Sequence, residues 1–168
     1  TDNLIEEAKK YKSLEEFVKA QFKKPSYGMS HRPSYEGMPR SFDLTEGDVV
    51  PKDVYEHPEW SIAGGHNLKT DVAAKESWAA LQKIKGNPDA EVIIYRASPK
   101  NEINAGDWVT FSKKYAQDES LQEGTQVHSF KVKASDVVFA GDDINEFGYY
   151  PKSQLTDIWN KAHQKGTD

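Results

Sequence analysis

Apolar residues recur along this chain with two periods. Near its start they follow helical spacing. Residues 4–22 read as two short helices, and Leu14, Phe17, Val18 and Phe22 fall on one face of the second. Ser13 and Glu16 open that helix as a capping box, each side chain satisfying an orphan amide near the other, and Lys23, Lys24 and Pro25 close it. A third helix is predicted over 70–85, capped by Thr70, with Ala74, Trp78 and Leu81 as its apolar face and Gly86-Asn-Pro88 as its stop. Beyond it the period shortens toward two residues, so 92–97, 108–111, 126–133 and 137–140 read as strands. Ser112 is suited to cap a short helix through Tyr115 and Ala116. A last helix over about 152–163 sets Leu155, Ile158, Trp159 and Ala162 at i, i+3, i+4 and i+7. Helices grouped before and after the strands predict an α+β fold rather than alternating βαβ units.

Between the second and third helices, residues 26–67 are rich in Pro, Gly, Tyr and His and lack a clean period. A stretch of that length is expected to drape over the core. At 168 residues, 36% hydrophobic and 11% aromatic, the chain fits one core, with 1–25 as a helical appendage or linker and 26–168 as the domain. No apolar stretch approaches the length of a membrane span. The absence of cysteine excludes disulfides and thiolate metal sites and permits a reducing, cytoplasmic setting. A chain that starts at Thr1, directly in a helical pattern and without a signal peptide, reads as a piece of a longer polypeptide. The formal charge of −5 argues against a broad grip on nucleic acid, although Lys9-Lys10, Lys23-Lys24 and Lys113-Lys114 leave a local basic groove open. The five histidines show no metal-ligand spacing, and no Gly-rich phosphate loop of the Rossmann or P-loop kind occurs.

The positions that carry chemistry stand at the edges of the predicted strands. Arg96 ends the most apolar strand, where a guanidinium can fork onto phosphate or carboxylate oxygens; the plainer role is an edge arginine paired with a nearby acid. Ser112 follows Trp108-Val-Thr-Phe111 and either orients a ligand beside a helix N-terminus or serves as an ordinary N-cap. Tyr115, three residues on, either stacks on a flat heterocycle or fills the core beneath Trp108. Glu146 stands among Phe147, Tyr149 and Tyr150 at a strand start, an unusual place for a solubilising charge, and is the best acid in the chain. His31 and Arg32, in a Pro-bounded loop, suit a phosphate or ribose, or a surface turn.

Taken in order, Tyr95-Arg96, the run Gly106-Asp-Trp-Val-Thr-Phe-Ser112 with Tyr115-Ala116, and Asn145-Glu-Phe-Gly-Tyr149 make residues 31–151 resemble ADP-ribosyltransferase-like domains of phage and mobile-element proteins. The similarity is greatest to domains embedded in very large phage polyvalent proteins, in which a piece like residues 11–21 serves as a connecting helix. The resemblance implies small split β-sheets around an NAD cleft. It also implies that Arg96 holds the NAD phosphate or nicotinamide ribose, that Thr110 and Ser112 order the cleft, that Tyr115 stacks on nicotinamide, and that Glu146 is catalytic. The middle motif reads Thr110-Phe-Ser112 rather than Ser-Thr-Ser, and Ile144 stands where arginine-modifying members carry a second acid, so arginine is not the implied acceptor.

A single carboxylate suits that chemistry. Glycosidases normally need two acids because an alkoxide leaving group must be protonated. Nicotinamide attached through its ring nitrogen is already cationic and leaves neutral, so one glutamate accepting a hydrogen bond from the ribose is enough to stabilise charge building at the anomeric carbon. The expectation is therefore transfer of ADP-ribose from NAD to a protein or nucleic-acid acceptor, with hydrolysis as a side reaction, inside a host cell and delivered there with the virion. The alternative is a non-catalytic binding or structural module that keeps the fold.

Overall fold

The computed structural model describes residues 2–22, 39–44, 54–62, 68–139 and 143–164. It is a mixed α+β fold of small antiparallel sheets and several helices. Two helices, α1 (Asp2–Ala8) and α2 (Leu14–Phe22), precede α3 (Val72–Ile84). There follow β1 (Glu91–Ser98), β2 (Trp108–Val109), α4 (Lys113–Glu119), β3 (Gln126–Lys133), β4 (Val137–Phe139), β5 (Phe147–Tyr149) and α5 (Lys152–Ala162).

The strands form two sheets. β1 and β3 pair antiparallel over eight residues with Arg96 opposite His128, while β5 lies between β2 and β4. The two sheets are bridged where the backbones of Tyr95 and Thr110 exchange hydrogen bonds of 2.8 and 3.0 Å. The alternation of β1 turns Val92, Ile94, Arg96 and Ser98 inward, so Arg96 enters the interior in the same row as two core aliphatics.

One core lies between α3 and the sheets, where Leu81, Ile84, Ile94, Val109, Phe111, Phe139, Ile144 and Phe147 interlock. Phe147 is its hub, with ring centroids 4.6 Å from Phe111 and 5.5 Å from Phe139. Parts of the irregular stretch feed this core. Leu44, Val54, Tyr55 and Ile62 are buried in it, and the Tyr55 hydroxyl donates to the carbonyls of Ser41 and Leu81. A second core joins Ala8, Phe17 and Val18 of α1 and α2 to Leu155 and Ile158 of α5, and to Ala105, Val138 and Tyr150 from the sheet region. The N-terminal helices are thus packed on the C-terminal helix and continuous with the rest of the fold.

Two local expectations are corrected. The cap of α3 is Asp71, whose carboxylate accepts from the Ala74 amide at 3.0 Å, rather than Thr70, because the helix begins at Val72 and the extended residue just before it is Asp71. β2 ends at Val109, because Thr110 leaves the three-stranded sheet to bridge to β1. Ser13 accepts from the Glu16 amide at 3.2 Å, the forward half of a capping box. Gly86, in the left-handed region at φ 73°, follows α3 and donates to the Phe42 carbonyl.

Candidate functional site

A cavity of about 210 Å³ opens beside the junction of the two sheets. Its walls come from β1 (Tyr95, Arg96), from β2 and its end (Trp108, Thr110), from α4 (Tyr115, Glu119) and from Glu146, the residue before β5. Arg96, Thr110, Tyr115 and Glu146, all candidates from the sequence, therefore share one hollow. A second hollow of about 230 Å³ is lined by Ser98, Lys100, Glu102, Asn104 and Asp107, and Arg96 borders both.

Arg96 is held on two sides. Its Nη1 donates to the Trp108 carbonyl at 2.8 Å, and its Nε lies 3.7 Å from Asp107 Oδ2; the two side chains are only 6% and 3% exposed. Gly106, at φ 87°, makes the turn that presents Asp107, whose carboxylate also accepts from the Asn104 amide at 2.8 Å. The paired-arginine role and the cavity-lining role therefore coexist in one residue.

Ser112 takes a different place. It caps α4, accepting from the Tyr115 amide at 3.0 Å, and its hydroxyl donates to Glu76 Oε1 at 2.7 Å. It is fully buried and is not among the residues lining the cavity, so it works behind the wall through the helix it caps. Thr110 faces the cavity and its Oγ1 accepts from the Ser112 amide at 3.1 Å, which fixes the turn from β2 into α4. His31 and Arg32 lie outside the described residues.

Tyr115 meets Glu146 directly: its hydroxyl donates to Glu146 Oε1 at 2.9 Å. Burial raises the phenol well above the ordinary tyrosine range, and the Glu146 carboxylate, as charge and as hydrogen-bond acceptor, raises it further. It stays a protonated donor wherever the protein is folded near neutrality. Glu146 is anchored through its backbone, with its amide on the Asp143 carbonyl at 2.9 Å. The preceding Asn145 is fixed by an amide contact to Asp143 Oδ1 and by Ser77, whose hydroxyl donates to Asn145 Oδ1 at 2.6 Å.

Glu76 and Ser77 were not singled out from sequence, and Asn145 entered only within the Asn145-Glu-Phe-Gly-Tyr149 run. Glu76 and Ser77 sit mid-helix, where nothing in the local pattern distinguishes them from a solvated residue and a small packing residue. Asn145, next to the proposed acid in an aromatic run, carried a readable signal. Among the described residues no group of three or more histidines and carboxylates converges as metal ligands, and no helix is long and apolar enough to cross a membrane. No protein-family profile matches the chain, and neither the curated proteins nor the solved structures give a match.

Proposed function

We propose that the two small sheets form an ADP-ribosyltransferase-like fold, and that the cavity at their junction takes the nicotinamide-ribose end of NAD and transfers ADP-ribose to a macromolecular acceptor, with hydrolysis as a side reaction. The observation that carries this reading is the meeting of Arg96, Thr110, Tyr115 and Glu146 in one hollow, from stretches as distant as residues 96 and 146. Pockets that enclose a whole drug-sized ligand run to about 300–1,000 Å³. At about 210 Å³ this cavity suits a ring and its sugar, and the shared border at Arg96 offers the second hollow as the continuation for a pyrophosphate.

In this reading Glu146 accepts a hydrogen bond from a ribose hydroxyl and stabilises positive charge at the anomeric carbon. Arg96 supplies the cation at the border of the cavity, and Tyr95 and Trp108, which also line it, help to exclude water. The resemblance to phage and mobile-element domains extends the reading to a host protein or nucleic acid as acceptor, met in the host cytoplasm. Incubation of the protein with labelled NAD tests it. The native chain is expected to release nicotinamide, and Glu146→Gln to lower that rate about 10²–10³-fold; undiminished release from the variant, or none from the native chain, removes the enzymatic reading.

One observation favours a second reading. Arg96 is already bound to Asp107 and the Trp108 carbonyl, as an arginine serving structure alone would be. A non-catalytic module that keeps the fold predicts no heat on titration with NAD, whereas a nucleotide site predicts saturable binding.

A further inference from the structure

From the contact between the two side chains, we infer that Tyr115 is the positioning residue for Glu146, acting through its hydroxyl rather than through its ring. This rests on the proposed reaction and departs from the stacking role that the resemblance implies for Tyr115. The phenol donates to Glu146 Oε1 at 2.9 Å, and both side chains border the same cavity. An ionised carboxylate has about four acceptor sites, and the phenol donor restrains its rotation by engaging one of them.

Both partners are braced from one turn of α3. Glu76 Oε1 accepts from the Ser112 hydroxyl at 2.7 Å and from the Lys114 amide at 3.0 Å, which ties down the start of α4 two residues from Tyr115. The adjacent Ser77 donates to Asn145, the neighbour of Glu146. Two consecutive helix residues thus set the separation of the donor and the acid, and such pre-set geometry is what an acid acting on a sugar needs. Besides Glu146, the charged groups that act on the phenol are Glu119 from α4 and Asp143 from the segment before β5, and Arg96 from β1 lines the same cavity. The two carboxylates reinforce the phenol's hold on its proton, so the donor persists through the working pH range.

Tyr115→Phe separates the two roles, because phenylalanine keeps a ring for stacking and loses only the donor. A hydrogen bond to a charged group, discounted for the partial exposure of the pair, sets the scale at roughly tenfold, equivalent to about one pH unit. The nicotinamide-release kcat is expected to fall about tenfold, KM for NAD to stay within about twofold, and the acid limb of the kcat profile to move up by about one pH unit. An unchanged kcat with an unmoved acid limb overturns the positioning role while the enzymatic reading stands. No nicotinamide release from the native protein overturns the reading first and the inference with it. Should Tyr115→Phe fold poorly, site-specific 3,5-difluorotyrosine at 115 keeps the shape and makes a stronger donor; the acid limb is then expected at lower pH, and a limb that does not move overturns the inference.

Discussion

Replacing Arg96 is the obvious way to test nucleotide binding, and the structure predicts that a simple truncation would mislead. The Arg96 and Asp107 side chains are 6% and 3% exposed and face one another at 3.7 Å. Arg96→Met removes the guanidinium but leaves the carboxylate inside, and it also strips the donor at 2.8 Å from the Trp108 carbonyl. Breaking one partner of a buried pair costs about 3–5 kcal/mol, most of it the burden of an uncompensated buried charge. The double variant Arg96→Met with Asp107→Asn removes both charges. Its amide oxygen still accepts from the Asn104 amide, so the loss is expected at about 1–2 kcal/mol, mainly from the Trp108 carbonyl. The double variant should therefore be about 2–3 kcal/mol more stable than Arg96→Met alone. Urea unfolding at constant slope measures all the terms, and calorimetric titration with NAD on the folded double variant then reads binding free of the stability loss. A single variant costing under about 1 kcal/mol, or a double variant as unstable as the single, would refute the buried-pair account.

Two further outcomes follow from the packing and the buried phenols. Phe17→Ala, in the core that α1 and α2 share with α5, is expected to cost about 3–5 kcal/mol and to lower one cooperative unfolding transition; a separate early transition that leaves the rest of the melt unchanged would show the N-terminal helices to be an independent unit. Tyr55 and Tyr149 are both raised above the ordinary tyrosine value of 10, first by burial and then by Asp43 and Asp136 respectively. Above that pH the unfolded chain sheds phenolic protons that the folded chain keeps, so stability is full below pH 10 and falls with rising pH by about 1.4 kcal/mol per unit for each of the two. Denaturant midpoints that stay level between pH 10 and 11 would contradict this.

Elements governed by local periodicity were legible from the sequence. Residues 126–133 are a strand with the bounds their alternation predicts, and the last helix turns Leu155 and Ile158 inward as its spacing requires. Arg96 was readable because it continues the inward row of Val92 and Ile94, so an apolar alternation carried a charge into the interior. The cap of α3 was misread because Thr70 and Asp71 are both good caps, and only the backbone geometry decides which carries the Ala74 amide. β5 is three residues long and buried on both faces, which erases alternation, so its central position in a sheet is set by partners distant in sequence. The roles of Glu76 and Ser77 were illegible for the same reason: their contacts reach Ser112 and Asn145, set by how α3 lies across the sheets.

The distribution of roles around the cavity follows from these contacts. A hydroxyl that caps a helix and also donates to a carboxylate has both its lone-pair and its proton functions engaged, so Ser112 serves the site best by holding α4 still. Tyr115, one turn along that helix, brings a donor to Glu146. A mobile acid would lose much of its advantage, since misplacement by about 1 Å can cost about 10²-fold. In the proposed reading that demand is served by contacts that include the Asp143 carbonyl at the amide of Glu146, Ser77 through Asn145, and the phenol at the carboxylate. Arg96 is fixed with equal firmness, so any ligand that enters the hollow meets a cation and an acid whose separation is set before it arrives.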